Sequence, residues 1–158
     1  MSLMIREVDP ASPDAQRLME ALDEDLRRRY PGAVIHGIDA EGWRGAGGVF
    51  LVGYEDDFPV VCGALRPAAD GSVEVRRMFV SESARRRGHA RAVLTALEER
   101  ARGLSVGVIR LETGEGQPEA ISLYQRAGYR AVPCDGAYSG SPHSRCFEKQ
   151  LTPTDRVL

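Results

Sequence analysis

The stretch VSESARRRGHARAV, residues 80–93, decides how the rest of this sequence is interpreted. Three arginines, Arg85 to Arg87, stand directly before Gly88, and apolar residues follow Gly88 at helical spacing. The first turn of a helix carries unpaired N–H groups and the positive end of the helix dipole, so basic side chains are unfavourable there. Because this helix start is nevertheless basic, the sequence indicates that an anion binds at the junction.

Composition limits the kind of protein that carries this junction. The chain has 158 residues, of which 42% are hydrophobic and 28% are charged. Such a chain fits one globular domain that buries about two-thirds of its unfolded surface. We place the domain at residues 4–151, with a tail at 152–158, and leave open whether residues 1–3 are a leader. The net charge of −2 argues against general binding of nucleic acid or membranes, which normally requires a basic face.

The cysteines and the apolar segments bear on compartment and metal content. Cys62, Cys134 and Cys146 are an odd number, widely spaced and without a C-x-x-C pair, so the pattern indicates neither a disulfide framework nor a zinc site. The sequence contains no basic-then-apolar signal segment and no apolar run of about 18 residues. We therefore expect reduced thiols, no metal and a cytoplasmic location.

Strand-like and helix-like patterns alternate on both sides of the opening stretch. Before it, the pattern predicts a strand at LMIREV, a helix ending near RRYPG, a hairpin with arms at 49–54 and 59–65, and a strand at VEVRRMFV. After it, the pattern predicts a helix over 88–103, a strand at VGVIRLETG, a helix from Pro118 that stops at Gly128, and strands at YRAVP and SRCFEKQL. The predicted fold class is therefore mixed α/β.

Known phosphate-binding loops narrow the kind of anion. The sequence has no G-x-x-x-x-G-K-[ST], and its other glycine-rich run, GWRGAGG, precedes a strand instead of joining a strand to a helix. Small residues at Gly88 and Ala90 allow backbone N–H groups to approach a ligand closely, and the arginines add charge-assisted contacts. A pyrophosphate would satisfy both features.

The segment ARRRGHA resembles the R/Q-x-x-G-x-G/A motif of the Gcn5-related N-acetyltransferases, the GNAT family, which bind acetyl-coenzyme A (acetyl-CoA). Downstream, LETGEGQPEAISLYQRAGYRAVP resembles the family's fifth strand, next helix and sixth strand, so the resemblance covers roughly positions 48–151. It implies a mixed, mostly antiparallel sheet of about six or seven strands with about four flanking helices. Ala90 replaces the commoner second glycine, and we expect His89 on the helix surface.

The resemblance also implies a cofactor site made of two segments. In the family, the pantetheine arm pairs with the fourth strand, which is Met78 to Val80 here. A backbone N–H near Met78 or Phe79 then stabilises the oxyanion of a tetrahedral intermediate. The implied cofactor-binding residues are Met78, Phe79, Val80, Arg85, Arg86, Arg87, Gly88, His89, Ala90 and Arg91.

Two residues are candidates for proton transfer. An alkyl amine with a pKa of about 10.4 is protonated at pH 7, so its attack on a thioester needs a base. Glu74 lies in the predicted fourth strand, where the family often uses a glutamate acting through water; the alternative is a structural carboxylate paired with Arg76. Tyr124 stands where many members keep a tyrosine that protonates the coenzyme A thiolate; the alternative is a core aromatic residue.

The predicted function is therefore acetyl-CoA-dependent N-acetyl transfer, by direct attack, to a primary amine. We expect a small-molecule acceptor, because the chain is little longer than the catalytic core that it resembles. A protein or peptide acceptor, a non-catalytic acyl-CoA sensor, a phosphate-binding regulatory module and a homodimer remain open. We interpret His36, His143 and Cys134 as incidental loop residues. Tyr30, Trp43 and Arg44 fall in an irregular region that in the family either lines the acceptor site or covers the core.

Overall fold

Seven strands and four α-helices follow one another along residues 2–151, which a computed structural model of the protein describes except for the side chain of Ala137. In chain order they are β1 (Met4–Glu7), α1 (Pro13–Arg29), α2 (Ala40–Gly45), β2 (Val49–Glu55), β3 (Phe58–Pro67), β4 (Val73–Val80), α3 (His89–Gly103), β5 (Val108–Gly114), α4 (Pro118–Arg126), β6 (Arg130–Val132) and β7 (Ser144–Gln150). Met1 and the predicted tail at 152–158 lie outside the described residues.

All seven strands belong to one sheet, in the order β1-β2-β3-β4-β5-β7-β6. Every pair of neighbours is antiparallel except β4 and β5, which are parallel. The mixed, mostly antiparallel sheet with four helices is therefore confirmed. The last two strands do not extend the sheet in chain order, because β7 inserts between β5 and β6.

The parallel pair is short. β4 and β5 are paired over three residues only, and the last pair joins Val75 to Leu111. Beyond this point β4 continues to Val80, whereas β5 continues to Gly114 along β7. The two strands therefore separate, and the second half of β4 has an open edge.

The helix starts differ in how their N–H groups are satisfied. At α1, the Ser12 hydroxyl accepts from the N–H of Ala15 at 3.4 Å, and Pro13 opens the helix. At α3, Gly88 occupies the cap position with φ 78°, provides no side-chain cap, and precedes a first turn without an acidic residue. None of the helices within 2–151 is both long enough and apolar enough to cross a membrane.

The core lies on both faces of the sheet. Along β2, Leu51 packs with the apolar side of α3, whereas Phe50 and Val52 pack with α1. This alternation is the period-two pattern of a strand that is covered on both faces. The apolar positions that we predicted for the first helix are all buried: Ala15, Leu18, Met19 and Leu22.

The region after α1 is more regular than the sequence suggested. Asp39 caps α2 by accepting from the N–H of Gly42 at 2.9 Å. Trp43, on α2, is 2% exposed and packs in the cluster beneath α1. Of the two interpretations given to Trp43, the structure places it over the core.

The expectation of three reduced thiols is wrong for two of them. Cys134 and Cys146 form a disulfide, whereas Cys62 is free and buried. In the β6–β7 pair, Val132 lies opposite Cys146, so the hairpin carries Cys134 to a Cα–Cα distance of 5.3 Å, within the range that a disulfide requires. The sequence did not show this proximity because it depends on strand register.

Candidate active site

The separation of β4 and β5 opens a cleft of 880 Å³. We call one part of its wall the helix side, formed by residues 84–91 at the start of α3 together with α4. We call the other part the loop side, formed by residues 29–36 from the end of α1 onward, by residues 138–144 up to the start of β7, and by Arg76 and Glu112 where β4 and β5 separate. The open half of β4 and the end of β5 contribute to the same cavity, so segments distant in sequence share one site.

The open edge of β4 presents backbone N–H donors. Ser81 N–H donates to Val60 C=O at 2.8 Å, and Phe79 is paired with Cys62 on β3. Because N–H groups of an antiparallel strand alternate in direction, those of Met78 and Val80 face the open edge. A strand-like ligand arm can pair with this edge.

A bulge fixes β4 just before these donors. The register with β3 shifts opposite residues 62–64, and Arg77 has φ 60°. The Arg77 guanidinium is 4% exposed and donates to Asp23 of α1 at 2.7 Å and to the carbonyl of Met19 at 3.1 Å. Its Nε is buried and has no hydrogen-bond partner among the described residues. The bulge therefore ties the strand to α1 immediately before its open edge.

The basic loop turns sharply before α3. Arg86 and Gly88 have φ values of 66° and 78°, a left-handed conformation that glycine adopts at little cost. The Nε of Arg85 donates to Val80 C=O at 3.0 Å, and its guanidinium carbon lies 5.7 Å from the centre of the Phe79 ring. The cleft-lining residues of this segment are Arg85, Arg86, Gly88, His89, Ala90 and Arg91. Together with the uncapped helix start they form a site suited to an anion.

Arg87 is the one predicted cofactor residue outside the cleft lining. Its Nη1 donates to both carboxylate oxygens of Glu55, at 2.7 and 2.9 Å, and the same carboxylate lies 3.0 Å from Nε2 of His89. The side chains of Glu55 and His89 are 7% and 6% exposed, so the expectation of a surface position for His89 is wrong. The hydrogen bond to His89 lowers the pKa of Glu55, and Arg87 lowers it further. Glu55, the last residue of β2, therefore holds the arginine loop in place through its contacts with Arg87 and His89.

Tyr124 reaches the cleft from the core. It is 4% exposed, and its ring centre lies 5.9 Å from that of Tyr129 and 6.4 Å from that of Phe147. The Tyr124 hydroxyl makes no hydrogen bond to any residue in the described part of the chain. Burial raises the pKa of Tyr124 far above its ordinary value, and the charge of Glu112 adds to this rise. The hydroxyl therefore stays protonated and is available to donate a hydrogen bond or a proton.

Two glutamates lie near the point where β4 and β5 separate. Glu74 is outside the cleft lining and lies 3.7 Å from Arg76 and 3.9 Å from Arg66. Glu112 on β5 lines the cleft, accepts from the Ser144 hydroxyl at 2.6 Å, and has a pKa that burial raises. The role of Glu74 as a base stays a prediction. Its ion pair with Arg76 is the contact expected if Glu74 is instead a structural carboxylate.

The loop side of the cleft is tied to the end of β5. Gly116 N–H donates to the Tyr30 hydroxyl at 2.9 Å, and a Cβ at Gly114 would overlap that hydroxyl. The Tyr30 ring centre lies 6.0 Å from the His143 ring centre. His36, which the sequence gave no reason to place near His143, lines the same cleft. The Cys134–Cys146 disulfide closes the loop that carries the second of these histidines.

Sequence reasoning did not identify Glu55 or Glu112. Glu112 had a usable signal, because a carboxylate within the apolar strand VIRLETG must either reach water or be compensated. Glu55 had none, because its partners are 32 and 34 residues away in sequence.

A family model confirms the architecture that this geometry suggests. The model of the acetyltransferase (GNAT) family matches residues 15–129. The chain belongs to this family. Its sequence is 32% identical over 151 residues to an IAA acetyltransferase of Azospirillum brasilense, covering 95% of this chain and 99% of that relative. The resemblance inferred from the arginine loop is therefore confirmed.

Solved GNAT structures share the whole fold. An acyl-CoA N-acyltransferase structure from Klebsiella pneumoniae superposes with a TM-score of 0.80 at 26% identity, covering 95% of this chain and 98% of that one. The PaiA N-acetyltransferase of Thermoplasma acidophilum, solved in complex with coenzyme A, superposes with a TM-score of 0.72 at 18% identity, covering 95% and 99% of the two chains. At the lower identity the likeness establishes the fold alone.

Proposed function

We propose that this GNAT acetyltransferase transfers the acetyl group of acetyl-CoA to the primary amine of a small molecule. The observation that carries the proposal is the joining of three features in one cleft: a basic helix start without a side-chain cap, an open strand edge, and a buried tyrosine hydroxyl with no hydrogen-bond partner among residues 2–151. The chain's similarity to an IAA acetyltransferase and the coenzyme A complex of PaiA support the same cosubstrate.

The helix side fits the phosphates of acetyl-CoA. The backbone around Gly88 and the side chains of Arg85, Arg86 and Arg91 supply N–H donors and positive charge to a pyrophosphate. Arg87 acts differently from its neighbours, because it lies outside the cleft lining and its Nη1 donates to Glu55, a contact that positions the loop. Acetyl-CoA supplies an activated acetyl group as a thioester.

The open edge of β4 fits the remainder of the cosubstrate. The N–H groups of Met78 and Val80 can pair with the pantetheine amides as an added strand would. A donor at this edge, with Met78 as the best candidate, stabilises the negative charge that develops on the thioester oxygen during attack.

Acetyl transfer requires a base that takes a proton from the amine and an acid that gives a proton to the leaving thiolate. The protonated amine first gives one proton to the base, and its nitrogen then attacks the acetyl carbon. As the carbon–sulfur bond breaks, the nitrogen loses a second proton and the thiolate gains one from the acid. We assign Glu112 as the base, because it lines the cleft and its raised pKa suits a proton acceptor. Tyr124 is the acid, because its protonated hydroxyl has no other partner in the described chain.

Release of free thiol from acetyl-CoA across a panel of amines tests this function. We expect turnover with at least one class of small amine, and binding of coenzyme A that weakens as salt screens its phosphates. Coenzyme A binding without thiol release from any amine would support a non-catalytic sensor. Acetylation of a protein lysine with no turnover of small amines would support a protein acceptor.

A further inference from the structure

The loop side of the cleft contains opposite charges in close proximity. Arg76 on β4 and Glu112 on β5 both line the cavity, and each lies near the point where their strands separate. Glu74, with Arg66 and Arg76 around it, lies outside the cleft lining. Where the two strands separate, the cavity therefore presents the guanidinium of Arg76 and the carboxylate of Glu112 to an acceptor. Asp25, Arg29 and Glu119 also line the cavity, but Arg29 forms ion pairs with both of these carboxylates.

The Arg76 guanidinium has donor capacity that no residue within 2–151 uses. Its Nη2 donates to the carbonyl of His36 at 2.6 Å, and its Nε lies 3.7 Å from Glu74, beyond hydrogen-bond distance. Its Nη1 makes no hydrogen bond to a described residue. The side chain is 17% exposed, so a planar guanidinium is held by two contacts with one edge left to a ligand.

The same guanidinium acts electrostatically on two groups of the loop side, Glu112 and Tyr138. Burial raises the pKa of Glu112 and of Tyr138, and the positive charge of Arg76 opposes the rise at both. Arg76 is therefore electrostatically close to the assigned base and to the tyrosine of the opposite loop.

The remaining surface of this side is largely apolar or aromatic. Val34 and Ile35 lie at the cleft, and Val34 is 80% exposed. Tyr30 and Tyr138 face the same cavity. Such a surface favours an acceptor with an apolar body in addition to its charged groups.

We propose that the acceptor is an amino acid-like zwitterion, a small primary amine that also carries a carboxylate, and that Arg76 binds this carboxylate while the amine lies toward Glu112. The inference rests on the proposed acetyltransferase function. An arginine fork matches a carboxylate in geometry as well as in charge, and the paired charges of the wall match those of the zwitterion.

Matched acceptor pairs test the proposal. Alanine with ethylamine, leucine with isoamylamine and phenylalanine with 2-phenylethylamine differ only in the carboxylate, and thiol release from acetyl-CoA gives kcat/KM for each. We expect wild type to prefer the amino acid of at least one pair by about tenfold or more. We expect Arg76→Gln to remove this preference through the KM of the amino acid, while the KM of acetyl-CoA stays the same. The basicity of each amine is the same whichever enzyme is used, so comparing the preference of wild type with that of Arg76→Gln removes its effect.

Two control variants separate carboxylate binding from a structural role. Arg66→Gln removes a guanidinium that also lies beside Glu74 but is outside the cleft lining, and it should retain the wild-type preference. Arg76→Lys keeps the charge without the fork, and it should retain part of the preference.

The possible failures are distinct. A wild-type preference for the decarboxylated amines would overturn the zwitterion proposal and leave the acetyltransferase function standing. An equal loss for both members of each pair in Arg76→Gln would assign Arg76 to holding the segment at His36 and would also overturn the proposal. No thiol release with any amine would overturn the proposed function, and this inference with it.

Discussion

The helix side and the loop side of the cleft are built in different ways. The helix side comes from residues 84–91, which are contiguous and held by Glu55 through Arg87 and His89, and from the neighbouring α4. The loop side is assembled from the end of α1, from β4 and β5, and from a disulfide-closed loop. A ligand common to a whole family can be bound by a short motif, whereas a specific acceptor site draws its residues from several segments that vary independently. Variants that affect one side and spare the other can test this division.

The largest effect is expected at the helix side, from Gly88→Glu. The substitution introduces a negative charge beside the predicted phosphate site and a side chain at φ 78°. Coenzyme A affinity measured by calorimetry should fall about 100-fold, equivalent to about 2.8 kcal/mol. Gly88→Ala is the matched control. Open space surrounds the added Cβ, so the only cost is that of the left-handed backbone conformation, about 1–2 kcal/mol in the free energy of folding. Unchanged affinity in Gly88→Glu would show that the phosphates bind elsewhere.

The next effect separates Glu112, which lines the cleft, from Glu74, which lies outside the cleft lining. Glu112→Gln should lower kcat/KM about 100-fold at pH 7 and recover as pH approaches the pKa of the amine, because the amine then loses its proton unaided. In wild type, the base must be deprotonated, so the rate should fall as pH decreases through the raised pKa of Glu112. Glu74→Gln is the control and should keep the wild-type pH profile. The opposite result would assign the base to Glu74, as the sequence predicted.

Tyr124→Phe tests the proposed acid, which α4 presents to the cleft. We expect kcat to fall about tenfold with little change in acetyl-CoA affinity, because the hydroxyl acts on the leaving thiolate and a thiolate leaves fairly well unaided. Tyr129→Phe is a matched control, because its hydroxyl donates to Glu98 at 2.8 Å within the core. That variant should lose stability, by about 1–3 kcal/mol, and keep its turnover. Wild-type turnover in Tyr124→Phe would return Tyr124 to a purely structural role.

Glu55→Gln should have a smaller effect, confined to the helix side. The amide keeps the shape of the carboxylate but loses the charge that holds Arg87 and His89, so coenzyme A affinity should weaken about fivefold at unchanged kcat. Because the folded protein lowers the pKa of Glu55, its stabilising contribution is present above the unfolded pKa and is lost as pH falls through the lowered value. Thermal unfolding measured between those two pKa values should therefore show stability that falls with decreasing pH in wild type and does not fall in this way in the variant.

An exposed residue near the same loop provides the control for this variant. Glu82 lies in the short turn before the arginines and has an exposed side chain. Glu82→Gln should leave coenzyme A affinity as in wild type, apart from a slight gain from reduced negative charge. Equal weakening in both variants would mean that net charge, not the contact made by Glu55, sets the affinity.

The smallest effect is expected from Cys134→Ser, and only on the loop side. Without the disulfide the loop that carries His143 gains conformational freedom, so the KM of the acceptor should rise about threefold. Coenzyme A affinity should not change. Wild-type enzyme treated with dithiothreitol should behave like the variant, and a change in coenzyme A affinity in either case would contradict the independence of the two sides.

The sequence by itself determined the elements and the helix side of the cleft. Period-two and helical patterns located the seven strands and three of the four helices, and the arginine loop predicted an anion site at the start of α3. These features are local: a helix start, a glycine cap and an apolar stripe depend on residues within a few positions of one another. The GNAT family model matches residues 15–129, a range that contains these local motifs.

Only the tertiary structure decided which side chains meet. The buried pairing of Glu55 with His89, the position of Glu112 in the cleft and the disulfide between Cys134 and Cys146 each join segments from different elements. Their contacts depend on strand register, on the parallel pairing that ends at Val75, and on the insertion of β7 beside β5. A one-residue change of register reverses which face a side chain occupies, so spacing along the chain could not reveal these contacts.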